Sequence, residues 1–170
     1  YLKKQMPRYG SVQFTQLTGA QGVLVLAGPK ARALLQRVTR ADLSNEAFGW
    51  LTSQDIVVGM APVNAMRVNY VGELGWELHH PIEYQNHIFD ALFAAGEDLG
   101  LQPFGIRAMD AMRFEKSYRM VGTELSIEYS AYESAMDRFI KADKGDFIGR
   151  DALLEWQERG IDNLLGTPEG

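Results

Sequence analysis

The stretch RVNYVGELGWEL, residues 67–78, brings an arginine, two glutamates and two aromatic rings close together. Extended side chains alternate between faces, so Arg67 and Asn69 fall on one side of a strand and Val68 and Tyr70 on the other. Gly72 and Gly75 supply the backbone freedom of a sharp reversal or a bulge. Beyond that turn, Glu77 shares a side with Gly75, while Trp76 and Leu78 point the opposite way. A carboxylate on a rigid strand accepts hydrogen bonds and donates none, which suits a ligand edge offering two parallel N–H groups. Tyr70 and Trp76 would add flat apolar walls. The same residues also fit the solvent-facing side of an ordinary hairpin.

GIRAMDAMRFEK, residues 105–116, is the second candidate. Ile106 and Arg113 lie near one another around a helix, and Asp110, three residues before Arg113, is within reach of an ion pair. The planar five-donor fork of Arg113 either forms that surface pair or turns inward to a ligand anion or an acidic partner. The third stretch, DKGDFIGRDALLEW at 143–156, reads as structural. Its Gly145 and Gly149 shape turns, Phe147 and Ile148 pack, and Asp151 can meet the early N–H groups of a helix. The chain carries no Walker loop, no GxGxxG fingerprint and no G-x-S-x-G elbow.

The elements that must position these residues follow from hydrophobic periodicity. GSVQFTQLT (10–18) and GVLVLAG (22–28) read as strands joined by a turn. Gly28-Pro29 opens a helix with Ala33, Leu34, Leu35 and Val38 on its apolar side. DLSNEAFGWLTSQDI (42–56) is turn-rich, IVVGMAPV resumes extended structure, and RVNY and GWEL pair as a hairpin. A helix over Glu83–Leu99 carries Ile88, Ala91, Leu92 and Ala95 on one face and stops at Gly100. Gly105-Ile106 leads into a further helix through RAMDAMRFEKSY. KADKGDFIGRDALLEWQERG reads as strand, turn and helix, ending at Gly160. This irregular alternation predicts an α+β fold with a mostly antiparallel sheet and packed helices.

Composition narrows the function classes. A chain of 170 residues suits one domain with a sizeable core, and 46% hydrophobic with 23% charged residues fits a globular protein. The formal net charge of -5 gives no general attraction to nucleic acid or anionic membrane, so neither is expected as a partner. No apolar run approaches the roughly 20 residues of a membrane span. Without cysteine there is no disulfide, thiolate catalysis or cysteine-ligated metal. A cytoplasmic or mitochondrial matrix location is compatible. His79, His80 and His87 have no usual metal-ligand spacing, so no metal site is expected. Tyr1 is not a start methionine, and GIDNLLGTPEG lacks periodicity, so the chain reads as a piece of a longer polypeptide.

Taken in order, GPKAR, DLSN, RVNYVGELGWEL, GIRAMDAMRFEK and DKGDFIGRDAL resemble the folate-binding aminomethyltransferase family of the glycine cleavage system T-protein. The resemblance runs from about residue 22 to 157. Its recurring pattern is approximately R-x-x-Y-x-G-E-x-G-[FYW]-E, then G-x-R-A-x-x-x-x-R-x-E-K, then F-[IL]-G-R-x-A-L. GPKARALLQRVTRADLSNEAF and the Trp of GELGWEL bring it nearest to the folate-binding C-terminal part of dimethylglycine and sarcosine dehydrogenases. In those flavoenzymes a separate FAD domain oxidises an N-methyl group. The T-protein-like part passes the carbon to tetrahydrofolate, giving 5,10-methylenetetrahydrofolate.

By this resemblance, Glu77 matches the family carboxylate that accepts from the pterin amino group and the neighbouring ring N–H. Tyr70 matches an aromatic lining the folate pocket, and Arg113 an arginine that contacts the folate. Glu73, Arg67 and Glu115 are motif residues expected to hold the hairpin and helix. The family's catalytic Asp lies upstream of the region matching residue 1, so no catalytic residue is assigned. Residues 1–158 are read as the aminomethyltransferase-like domain, incomplete at its N-terminal side, and 159–170 as the start of a linker to a C-terminal barrel. In SAYESAMDRF, Ala131 stands where T-proteins carry Pro and Arg138 near their Trp. The resemblance implies a folate and an N-methyl amine as small-molecule partners, flanking domains of the same chain, and FAD only through an N-terminal domain. The stretch alone is expected to bind folate weakly and to be inactive. Two other readings stay open: a T-protein acting on a lipoyl-bound intermediate, and a non-catalytic folate-binding regulatory protein.

Overall fold

The computed structural model describes residues 2–7, 10, 12–161 and 164–165. The chain divides into two compact units: Tyr1–Asn69 with Glu73–Gln102, and Tyr70–Gly72 with Pro103–Gly170. The described fold is α+β.

The first unit begins with a short helix α1 (Leu2–Gln5) and is built on four strands. These are β1 (Gln21–Ala27), β2 (Ser53–Val58), β3 (Ala61–Met66) and β4 (Gly75–Pro81), in the sheet order β1-β4-β3-β2. Every pairing is antiparallel. Leu26, Ile56, Val58, Val63, Ala65, Trp76 and Leu78 are buried on the inner face of the sheet. Helices α2 (Ala31–Val38) and α3 (Gln85–Gly96) add Ala31, Leu34, Leu35, Ile88 and Leu92 to the same core. Removing such a side chain from water stabilises by about 1.5–3 kcal/mol, so this single layer of contacts dominates the unit.

Glycines set two close approaches here. Gly59 at φ 61 makes the β2–β3 turn and donates its N–H to Val38 O at 2.8 Å, tying the turn to the end of α2. At Gly96, an added Cβ would lie 2.6 Å from Leu34 Cδ1, so the absent side chain is what lets α3 approach α2. The expected helix over 83–99 is realised as α3 flanked by 3-10 turns at Ile82–Tyr84 and Glu97–Leu99, and it stops at left-handed Gly100.

The hairpin expected from RVNY and GWEL is wider than the sequence suggested. Strand β3 ends at Met66, and β4 pairs with Asn64, Ala65 and Met66 instead. The residues between are diverted by other hydrogen bonds. Val68 N–H donates to Met66 O at 2.8 Å, Arg67 N–H donates to Thr52 O at 2.9 Å, and Glu73 N–H donates to Asn69 Oδ1 at 3.2 Å. Those donors are unavailable to a ladder, so the chain leaves the sheet. No strand forms over residues 12–17, and residue 11 lies outside the described residues.

The second unit holds α4 (Ile106–Glu115), a 3-10 turn at Asp137–Phe139 and α5 (Arg150–Arg159). The strand expected before α5 is replaced by turns, because Arg150 Nε reaches back to Ala142 O at 2.8 Å and closes the segment on itself. Besides Val71, its buried residues among those described are Arg113, Ser130 and Ser134. Polar contacts hold this unit: Arg119 Nε donates to Ser134 O at 2.6 Å, and Ser130 N–H donates to Glu133 Oε2 at 2.7 Å.

Candidate functional site

The outer face of the sheet is laid out by strand register. Glu77 on β4 lies between Val25 of β1 and Met66 of β3, and Met66 in turn faces Ser53 of β2. The next row runs Val23, His79, Asn64, Asp55. These positions alternate with the buried Trp76, Leu78 and His80, so no side chain of this face enters the core. Val23 and Val25 are exposed, giving the carboxylate an apolar flank. The placement of Glu77 opposite Trp76 and Leu78 follows the alternation read from the sequence.

The Glu77 side chain is 32% exposed, and His79 Nε2 stands 3.1 Å from its Oε2. Carboxylate oxygens accept only, so in this contact Nε2 carries the proton and donates. Glu77 Oε1 makes no hydrogen bond among the described residues. Beside the pair, Asn64 Nδ2 donates to Asp55 Oδ1 at 2.8 Å, so that amide is committed elsewhere. Such a face can present three of the four carboxylate lone pairs to a planar ligand with adjacent N–H donors.

Arg67 and Trp76 turn to structural tasks in the same unit. Arg67 donates from Nη1 to Phe48 O at 2.5 Å and from Nη2 to Asn45 Oδ1 at 2.8 Å, and its guanidinium lies over the Trp76 ring. Trp76 is fully buried, edge-on to Phe48. It is therefore a core residue rather than a wall of the outer face.

Tyr70 and Arg113 belong to the second unit. The Tyr70 hydroxyl donates to Arg119 O, and its ring leans on Tyr118 with centroids 6.2 Å apart. Burial raises the Tyr70 phenol above its usual range, against the opposing pull of the Arg113 charge. Arg113 is only 5% exposed despite its charge. Its Nη1 donates to Glu124 Oε1 at 2.9 Å and to Tyr118 O at 3.0 Å, and its Nε donates to Asp110 Oδ1 at 2.8 Å. The Glu124 hydrogen bond leads in raising the Arg113 guanidinium still further, with Asp110 adding to it against burial. The expected Asp110 pair is present, but it is one of several anchors.

Sequence reasoning left two residues of these sites unassigned. His79 could have been found, since strand alternation puts it two positions from Glu77 on one face. Glu124 gave no such signal, because a loop brings it back to Arg113. Among the described residues no cluster of three or more His, Asp or Glu could hold a metal ion. No described helix is long and apolar enough to cross a membrane.

The GCVT N-terminal domain family matches residues 1–144. The chain belongs to that family. Human mitochondrial dimethylglycine dehydrogenase is 39% identical over 155 residues, covering 91% of this chain and 18% of that protein. An aminomethyltransferase of Thermoanaerobacter pseudethanolicus is 35% identical over 150 residues, covering 88% of this chain and 40% of that protein. This GCVT-family chain thus spans less than half the length of either relative. A heterotetrameric sarcosine oxidase structure from Corynebacterium sp. U-96 aligns at a TM-score of 0.48 and 25% identity, over 55% of this chain and 46% of that one.

Proposed function

We propose that this chain is the folate-binding part of an FAD-dependent dehydrogenase of the dimethylglycine or sarcosine type. In that reading the one-carbon unit released from an N-methyl amine is passed to tetrahydrofolate. The observation that carries it is the 39% identity to dimethylglycine dehydrogenase over 91% of the chain. A mitochondrial matrix or bacterial cytoplasmic setting accords with the relatives, and the flanking parts of the longer protein supply the remaining partners.

Glu77 fits a pterin on its own chemistry. It is a partly exposed carboxylate with a free oxygen, on a rigid strand and beside apolar Val25. Tyr70 contributes a ring face, since its hydroxyl is engaged by Arg119 O. Arg113 keeps little donor capacity beyond Asp110, Tyr118 and Glu124, so its folate contact is limited to what remains on Nη2. Tetrahydrofolate, when bound, supplies the nitrogen nucleophile that takes up the carbon; the residues here bind and orient it. No residue of this chain is assigned to the flavin, as no dinucleotide fingerprint is present.

Calorimetric titration with tetrahydrofolate tests the reading in the longer polypeptide that carries this chain. Glu77→Gln replaces an acceptor with a donor facing the pterin N–H groups and lowers affinity at least about tenfold, whereas Glu73→Gln leaves it within twofold. Equal effects of the two substitutions would remove Glu77 from the folate site. The 35% identity to an aminomethyltransferase favours a second reading, a T-protein acting on a lipoyl-bound intermediate. A flavin absorbance spectrum of the purified longer polypeptide separates the two, since only the dehydrogenase carries FAD.

A further inference from the structure

We propose that His79 is a positioning residue for Glu77: its Nε2–H fixes the plane of the carboxylate that meets the pterin. This rests on the reading of Glu77 as the folate carboxylate. The two side chains leave β4 two positions apart on the same face, with Nε2 and Oε2 separated by 3.1 Å. They are 34% and 32% exposed, so burial does not lock either one. The terminal torsion of a glutamate is broad, and an exposed carboxylate turns freely unless a donor holds it.

The surroundings leave that task to His79. On the β1 side Glu77 faces Val25, and on the β3 side Met66, neither of which has a donor in its side chain. His79 itself lies between Val23 and Asn64. Asn64 directs its amide N–H to Asp55 at 2.8 Å, so it does not compete for Glu77. Asp55, one strand further along the row, is the other charged group on this face. A single N–H on Oε2 leaves the second lone pair of Oε2 and both lone pairs of Oε1 for the ligand. Two parallel N–H groups of a pterin can therefore still engage both oxygens. With the rotation already restricted, less side-chain freedom is lost when the ligand arrives.

The test measures tetrahydrofolate affinity in the longer polypeptide for wild type, H79L, H79Q, E77Q and the E77Q/H79L double variant, each checked for unchanged melting temperature. H79L weakens binding about three- to tenfold, the range expected for losing one pre-organised side chain. H79Q, whose amide restores a donor, stays within twofold of wild type. The double variant binds no worse than E77Q alone. An H79L affinity equal to wild type beside a weakened E77Q overturns the role of His79 and leaves Glu77 in the site. An H79Q as weak as H79L, or losses that add in the double variant, also overturns it. If E77Q itself binds like wild type, the carboxylate reading falls and takes this proposal with it. Imidazole 15N NMR reads the same contact without ligand: wild type shows a hydrogen-bonded Nε2–H, and E77Q, which keeps only a neutral acceptor oxygen, weakens that bond. Wild type in the Nδ1–H form counts against the proposal whatever the affinities.

Discussion

Arg113 and Glu124 are joined across a loop, with Nη1 donating to Oε1 at 2.9 Å while Oε2 of the same carboxylate accepts the Met120 N–H at 2.9 Å. One carboxylate thus closes the chain onto α4 and neutralises a guanidinium that is almost fully buried. The contact explains how a unit with few buried apolar side chains keeps residues 118–125 in place.

Glu124→Ala leaves Arg113 with Asp110 as its one remaining carboxylate. Breaking a buried pair by deleting one partner costs about 3–5 kcal/mol, and the surviving Asp110 contact reduces this to about 2–3 kcal/mol. Hydrogen exchange is the direct readout, with protection lost first over residues 118–125.

The same carboxylate gives the second unit an acid-sensitive stability. Burial pushes the Glu124 carboxyl up, but the Met120 N–H and the Arg113 guanidinium together hold it below its ordinary value. A depressed carboxyl contributes stability that is fully present above the unfolded value and is lost as pH falls through the folded one. Urea denaturation of wild type is therefore expected to weaken from about pH 4.5 downward, and Glu124→Gln to show a flatter dependence in that window.

Tyr70 separates two roles in one side chain. Its hydroxyl is engaged by Arg119 O, while its ring, tilted on Tyr118, is the part proposed above to meet the folate. Tyr70→Phe is expected to lower stability by about 1 kcal/mol and to leave tetrahydrofolate affinity within twofold. Tyr70→Ala removes the ring and lowers both. Thermal melts alongside calorimetry distinguish these outcomes.

Periodicity carried much of this architecture. Leu34, Leu35, Ile88 and Leu92 were recognisable as core residues because helical spacing and burial coincide there. Trp76, Glu77 and Leu78 were ordered by strand alternation in the same way. The failures share a cause. RVNY alternates like a strand, yet the Arg67 and Val68 N–H groups are taken by Thr52 and Met66, and a pattern along the chain does not show which carbonyl a donor will find. Likewise Asp110 was visible beside Arg113 at helical spacing, whereas Glu124 arrives through a loop with no period.

Gly96 offers a test of packing against propensity. Alanine in place of glycine favours a helix by up to about 1 kcal/mol. Here, however, the added Cβ would lie 2.6 Å from Leu34 Cδ1 and 2.8 Å from Leu101 Cβ. Leu34 is itself buried and cannot swing aside, so overpacking of about 1–3 kcal/mol prevails. Gly96→Ala is expected to be destabilising by about 1–2 kcal/mol in guanidinium unfolding.

Leu51 sits at φ 60, a left-handed conformation that a branched aliphatic side chain adopts at a cost of about 1 kcal/mol or more. The loop imposes it: Leu51 N–H donates to Arg67 O at 3.2 Å, and Thr52 Oγ1 donates to Gly49 O at 2.6 Å. The leucine side chain is exposed, so replacing it gives up little burial. Asparagine tolerates this backbone region and adds no unfolded-state freedom, so Leu51→Asn is expected to stabilise by about 0.5–1 kcal/mol. Glycine relieves the same strain but gains about 0.5–1 kcal/mol of chain entropy when unfolded, which offsets most of the benefit. The expected melting order is therefore Asn above Gly, with Gly close to wild-type Leu. A Leu51→Asn variant that melts lower than wild type would show that the exposed leucine contributes a contact worth more than the strain it imposes.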